Sequence, residues 1–242
     1  MNIVNSSSIS VSNLEVQIDR KDIKNLHIGV YPPYGKVRVA APLKIDNEAV
    51  RLAVISRLAW IRKQVRHFKE QPRQSKREMV SGESHYFLGK RYLLEVIYGG
   101  SKHKVVCEHS TLKLYVREGT SVDNRYKLLN TWYRVELQKI IKAFVSKWEE
   151  KIGVDVKIWQ IKKMRTKWGS CNNDKKNILF NLDLAKVPKE CIEYIVVHEL
   201  VHLLERHHND NFKAHLDTYF PTWRECRVVL NECVLGFEEW EK

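Results

Sequence analysis

Apolar residues alternate with polar ones at Leu14, Val16 and Ile18, at Leu26, Ile28 and Val30, and at Val37 and Val39, which predicts three short strands. Pro32-Pro33-Tyr34-Gly35 supplies the last turn, and the trio reads as an antiparallel meander. The period then lengthens. Val50, Val54, Leu58, Ile61, Val65 and Phe68 recur at helical spacing over about 46–71, with Asp46 placed to cap the start and Pro72 to stop the end. Alternation returns at Tyr92, Leu94, Val96 and Tyr98, turns at Gly99-Gly100, and continues through Val105 and Cys107 to Leu112, Leu114 and Val116.

A long helix is predicted over 122–151, through Tyr126, Leu129, Trp132, Tyr133, Leu137, Ile140, Ile141, Phe144 and Trp148, and Gly153 ends it. Strands follow at 157–163 and 178–184, with a loop over 165–173 between them. Pro188 opens a helix to about 205, and helices over 211–218 and 221–240 close the chain. No internal repeat or long linker is visible. The pattern is α+β, with a β-rich N-terminal region carrying one helix over 1–120 and a second α+β region over 121–242.

Composition narrows the class. The chain has 242 residues, 43% hydrophobic and 29% charged, with 10 Gly and 6 Pro, which suits a globular protein and excludes disordered or collagen-like chains. No apolar run approaches the roughly 18 residues of a membrane span, and the polar first residues lack the pattern of a signal peptide, so no membrane association and a cytoplasmic location are expected. The five cysteines, Cys107, Cys171, Cys191, Cys226 and Cys233, include no C-x-x-C pair and read as reduced thiols. Net charge is +13, but residues 1–187 carry +18 and residues 188–242 carry −5. The basic body suits DNA or another polyanion, or simply a solvated surface.

The sharpest chemical signal is His198-Glu199-Leu200-Val201-His202, set between Cys191–Val197 and Leu203-Leu204 in a strongly apolar helix. Positions four apart stand one above the other, so His198 and His202 point into one space where they can share a metal ion. Glu199, one step round the helix, reaches a water held there and can serve as general base. Three polar groups among Ile, Val and Leu are costly to bury unless something binds them. A catalytic zinc usually has a third protein ligand. His208 lies six residues after His202, the separation found in the metzincin pattern, with Glu205 where that pattern has Gly. His207 beside it competes, and Glu225 or Glu232 would be carboxylate substitutes. His215 is a further candidate, as proton donor. The loop Arg165-Thr166-Lys167-Trp168-Gly169-Ser170-Cys171 precedes the strand that leads into this helix. Its glycine permits close backbone approach, and Arg165, Lys167, Trp168, Gly169 and Ser170 are candidate substrate contacts. Cys171 lacks the partners of a nucleophile.

The chain also resembles a known family. Val196 to Leu203, followed by His207-His208-Asn209 and Phe212, is similar to the YgjP-like metallopeptidases, relatives of the SprT-like and WLM zinc proteases. So are Lys167-Trp168-Gly169-Ser170-Cys171, Asn181-Leu182-Asp183-Leu184, Gly35 to Pro42, Trp60-Ile61, Gly82-Glu83 with Phe87-Leu88-Gly89-Lys90, and Trp132-Tyr133. The resemblance implies a zincin-like α+β metal-binding core, with His198, His202 and His208 on zinc and Glu199 as base. It implies a zinc peptidase acting on polypeptides. UTP pyrophosphatase activity is the alternative that family members also suggest, and a nucleic-acid-binding protein with a structural metal is a third reading.

Overall fold

A computed structural model describes residues 5–31, 35–70, 77–99, 102–164 and 167–233. The Pro32–Tyr34 part of the last turn of the strand trio, Pro72, Gly100, Arg165 and the predicted helix beyond residue 233 lie outside the described residues. The described residues fall into two compact units that divide between residues 70 and 77.

In the first unit, strands β1 (Asn5–Val11), β2 (Leu14–Lys21), β3 (His27–Tyr31) and β4 (Lys36–Pro42) form one sheet in the order β1-β2-β4-β3. β4 is antiparallel to β3 and parallel to β2, so the sheet is not the expected meander: β4 inserts between its two predecessors. β1 was not legible, because Ser6, Ser7, Ser8 and Ser10 leave only Ile9 and Val11 to mark an edge strand. The predicted helix is two helices, α1 (Asn47–Ser56) and α2 (Leu58–Glu70), broken at Arg57. Asp46 caps α1, its carboxylate accepting the Ala49 amide at 2.8 Å. Val50, Val54, Ile61 and Val65 of the helices pack with Val16, Ile18, Val37 and Val39 in one core.

The second unit opens with the same plan. Strands β5 (Ser84–Phe87), β6 (Lys90–Tyr98), β7 (Lys104–Glu108) and β8 (Thr111–Val116) lie in the order β5-β6-β8-β7, again with a parallel central pair. The 31-residue helix α3 (Val122–Ile152) follows, capped by Ser121 and ended by Gly153 in the left-handed conformation. Its buried face, Leu129, Tyr133, Leu137, Ile141, Phe144 and Trp148, shares one core with Leu94, Leu112, Leu114 and Val116 of the sheet. That shared core is why the compact units do not divide near residue 120, as the sequence suggested. A three-stranded sheet, order β10-β11-β9, comes next, built from β9 (Ile158–Lys162), β10 (Gly169–Asn172) and β11 (Asn177–Asn181). Residues Leu182–Lys186, expected to extend β11, form a 3-10 turn capped by Asn181, and α4 (Lys189–Val201), α5 (Asp210–Tyr219) and α6 (Trp223–Glu232) follow among the described residues.

The β5–β6 hairpin sets the start of α4. Its two-residue turn, Leu88-Gly89, has positive φ at both positions, the geometry that matches strand twist. The two turn amides donate to the carbonyls of Ala185 and Lys186 at 2.9 and 3.1 Å, which pins the hairpin to the turn before Pro188. A Cβ on Gly89 would stand 2.8 Å from Pro188 Cγ, whereas one on Gly119, also at positive φ, would meet nothing within 4 Å. Gly119→Ala is expected to cost about 1 kcal/mol from its backbone alone. Gly89→Ala should cost clearly more in urea denaturation; equal losses would show that the Pro188 contact relaxes freely.

Candidate metal centre

Beyond its exposed first turn α4 is largely buried: Cys191, Ile192, Tyr194, Ile195, Val196, Val197, Glu199, Leu200 and Val201 are all buried. A helix apolar all round is a core helix. It ends at Val201 rather than near 205, because Leu203 and Leu204 donate to the carbonyls of Leu200 and Val201 in tight three-residue turns. Glu205 takes the place of the metzincin glycine without positive φ; its carboxylate accepts the His207 amide at 3.0 Å. The chain reverses into α5, which Asn209 caps by accepting the Phe212 amide at 3.0 Å.

This reversal brings His208 back onto the α4 pair. One ring nitrogen from each of His198, His202 and His208 lies within 4.8 Å of the others, and His208 Nε2 stands 3.0 Å from His198 Nε2. His207, Glu225 and Glu232 do not join this group, and His215 stacks on Tyr219 instead of lining the cleft. Phe212 forms a common floor, its ring centroid 4.9, 4.6 and 4.7 Å from the three imidazoles. Burial, reinforced by His202, His208 and Arg227, depresses His198 to about 3. Burial also lowers His202 and, with Arg227 and His207, His208. All three imidazoles are therefore neutral near pH 7, with lone pairs available. His202 Nδ1 lies 3.2 Å from the Glu205 carbonyl oxygen, a partner that fixes the tautomer with Nε2 free. Tyr194 sits one turn before His198, its hydroxyl 3.4 Å from Nδ1.

Glu199 is 4% exposed, and its Oε2 has no hydrogen-bond partner. Burial, partly offset by Lys167, raises it to about 8. The space beside it is made by Gly169: a Cβ there would lie 2.8 Å from Glu199 Cδ and Cγ. Gly169 belongs to β10, not to the loop the sequence suggested; Gly169, Ser170, Cys171 and Asn172 pair antiparallel with β11. Polar Ser and Asn, with the break at Gly169, hid this strand. β11 has both edges taken, by β10 and β9, so the segment around 178–184 cannot add a peptide strand, and β10 is the edge that borders the cleft. Asn181, fully buried, holds the preceding segment by donating to the Met164 and Lys167 carbonyls at 3.0 and 2.8 Å.

Lys167, Trp168, Gly169 and Ser170 line one cleft of about 560 Å³ with His198, Glu199, His202 and His208; Arg165 lies outside the described residues. Cys171 lines it as well, but burial and then Glu199 push its thiol up to about 12, so it is no nucleophile. Sequence reasoning missed Tyr194, Asn173, Arg206 and Arg227. Tyr194 was readable as the residue four before His198. Arg206 was readable as well, two residues before His208 in the same turn, whereas Asn173, which donates through its side chain to the His202 carbonyl, and Arg227 are brought in by tertiary structure.

A YgjP-like, metallopeptidase domain model matches residues 24–233. No curated protein matches the chain. Among solved structures, that of the metallopeptidase zymogen of Pyrococcus abyssi abylysin is 18% identical, with a TM-score of 0.35, and the match covers 37% of this chain and 92% of the other. The metallopeptidase zymogen of Methanocaldococcus jannaschii jannalysin is 25% identical, with a TM-score of 0.34 and the same coverage.

Gly169→Ala is expected to displace the Glu199 carboxylate and lower peptidase activity by about 10²-fold. Metal content should be unchanged. Full activity in this variant would mean that Glu199 does not need the space the glycine leaves.

Proposed function

The chain belongs to the YgjP-like metallopeptidase family, and from that premise we propose that it is a zinc-dependent peptidase in which His198, His202 and His208 hold the ion and Glu199 is the general base. One observation carries the reading: three neutral imidazoles converge beside a buried carboxylate that lacks a partner for one oxygen. A donor set of imidazoles without carboxylates suits Zn²⁺ and not Mg²⁺, which favours a peptidase over a pyrophosphatase. Bound there, zinc supplies Lewis acidity, polarising a peptide carbonyl and lowering the pKa of water.

The remaining steps belong to the chain. β10 offers an open edge beside the cleft, so an extended peptide can pair with its backbone and pass the histidines. Glu199 takes the proton of the attacking water and returns it to the leaving nitrogen. Burial raises its proton affinity, so its deprotonated form is a strong base, and its unpartnered oxygen gives that proton a place to go. Tyr194 and the Glu205 carbonyl orient His198 and His202, and Phe212 stops the three rings from turning away.

Glu199→Gln is expected to lower cleavage of unfolded casein by about 10³-fold while zinc content stays the same. If casein is uncut by both proteins and UTP hydrolysis survives the substitution, the peptidase reading loses its support. For the ligands, metal analysis should show zinc lost in His208→Ala and kept in His207→Ala; the reverse result would move the third ligand to His207.

A further inference from the structure

Three cations open onto the cleft that holds the histidines: Lys167 from the segment before β10, Arg206 from the turn after α4, and Arg227 from α6. All three are exposed, and among the described residues none has an ion-pair partner. Two acids share the cleft, Glu199 at its buried base and Asp174 in the turn after β10. Lys167 and Arg227 reach this cleft from different elements, the segment before β10 and α6. Lys167 acts on Glu199 and His208, while Arg227 acts on Tyr194, His198 and His208.

Uncompensated positive charge beside a site for a divalent cation is unfavourable, since each cation opposes the others. It becomes favourable when the incoming substrate is anionic near its reacting bond. Opposite charges in a cleft with low-dielectric walls are attracted more strongly than on open surface. The open β10 edge selects among anions, because it offers main-chain pairing to a peptide and nothing comparable to a nucleotide. The apolar wall of Trp168, Ile195 and Leu230 suits side chains of an extended chain.

We propose that this cleft selects peptides bearing carboxylates near the scissile bond, with Lys167 and Arg227 as the groups that receive them. The inference rests on the peptidase reading above. Lys167 and Arg227 are specificity determinants, distinct from the residues that carry the chemistry.

The test uses the zinc-loaded protein and a fluorogenic peptide with Glu on each side of the cleaved bond, compared with its Gln isostere. Both are made with free and with amidated C-termini, which separates side-chain from terminal carboxylates. The expected result is a kcat/KM at least about tenfold higher for the Glu peptide at low salt, falling steeply as salt rises. That ratio should collapse toward one in Lys167→Gln and Arg227→Gln and return in Arg227→Lys. A preference that vanishes on amidation would overturn the proposal, since recognition would then depend on the terminal carboxylate and not on the side chains. Binding of the same peptides to Glu199→Gln protein, read by fluorescence anisotropy, needs no turnover and should show the same preference. Equal binding of Glu and Gln peptides, or a ratio that survives in the Lys167→Gln/Arg227→Gln double variant, overturns the proposal. So does UTP displacing the acidic peptide more tightly than the peptide itself binds. Acidic preference in binding without cleavage of any peptide would sink the peptidase reading and leave carboxylate recognition standing.

Discussion

The structure depends on the burial of α4. A thirteen-residue helix, largely buried beyond its first turn, carries His198 and Glu199 near its C-terminal end, with His202 as its cap. Burying such groups without partners costs several kcal/mol. The fold meets that cost by gathering polar atoms around one point: His208 from the following turn, the Glu205 carbonyl, the Tyr194 hydroxyl and the Asn173 amide. The same burial that makes the residues costly also keeps the imidazoles neutral and the Glu199 carboxyl raised. Core packing and candidate chemistry are therefore one feature seen from two sides.

The three-stranded sheet is the second wall of the site, and its arrangement follows from one buried side chain. Asn181 ends β11, caps the 3-10 turn and ties down the segment leading into β10. Asp183, two residues on, is buried with Lys163 and Lys186 at 3.1 and 2.8 Å; burial pushes its carboxyl up, but the two ammonium groups more than offset this and hold it below the usual range. The Asn-Leu-Asp-Leu run thus serves to place Lys167, Trp168 and Gly169, although none of its own polar groups lines the cleft.

Much of this was readable from the residues. The i, i+4 histidines, the adjacent glutamate and the six-residue step to His208 rest on helix geometry and local spacing, which sequence displays directly. So does α3, whose apolar stripe, Ser121 cap and Gly153 stop agree with one another. What escaped is set by distant contacts. β10 carries Ser and Asn where a strand usually shows alternating apolar residues, and only its pairing with β11 makes it one. β1 is nearly all serine. Arg227 comes from α6, and no local signal announces that it lines the same cleft as the histidines. The division of the molecule was misplaced for a similar reason: β5–β8 looks like the preceding strands in pattern, yet its apolar face belongs to α3.

Each four-stranded sheet has its last strand in second place from one side, wedged between two earlier ones. β3 pairs with β4 and with no other described strand, and β7 likewise with β8. As the chain is synthesised, the first two strands of either sheet can close as a hairpin, but the third has to wait unpaired for the fourth to arrive. Each sheet is thus completed in a single late event, and a nascent chain stopped before Lys36 or Thr111 would leave one ribbon of backbone amides without a neighbour.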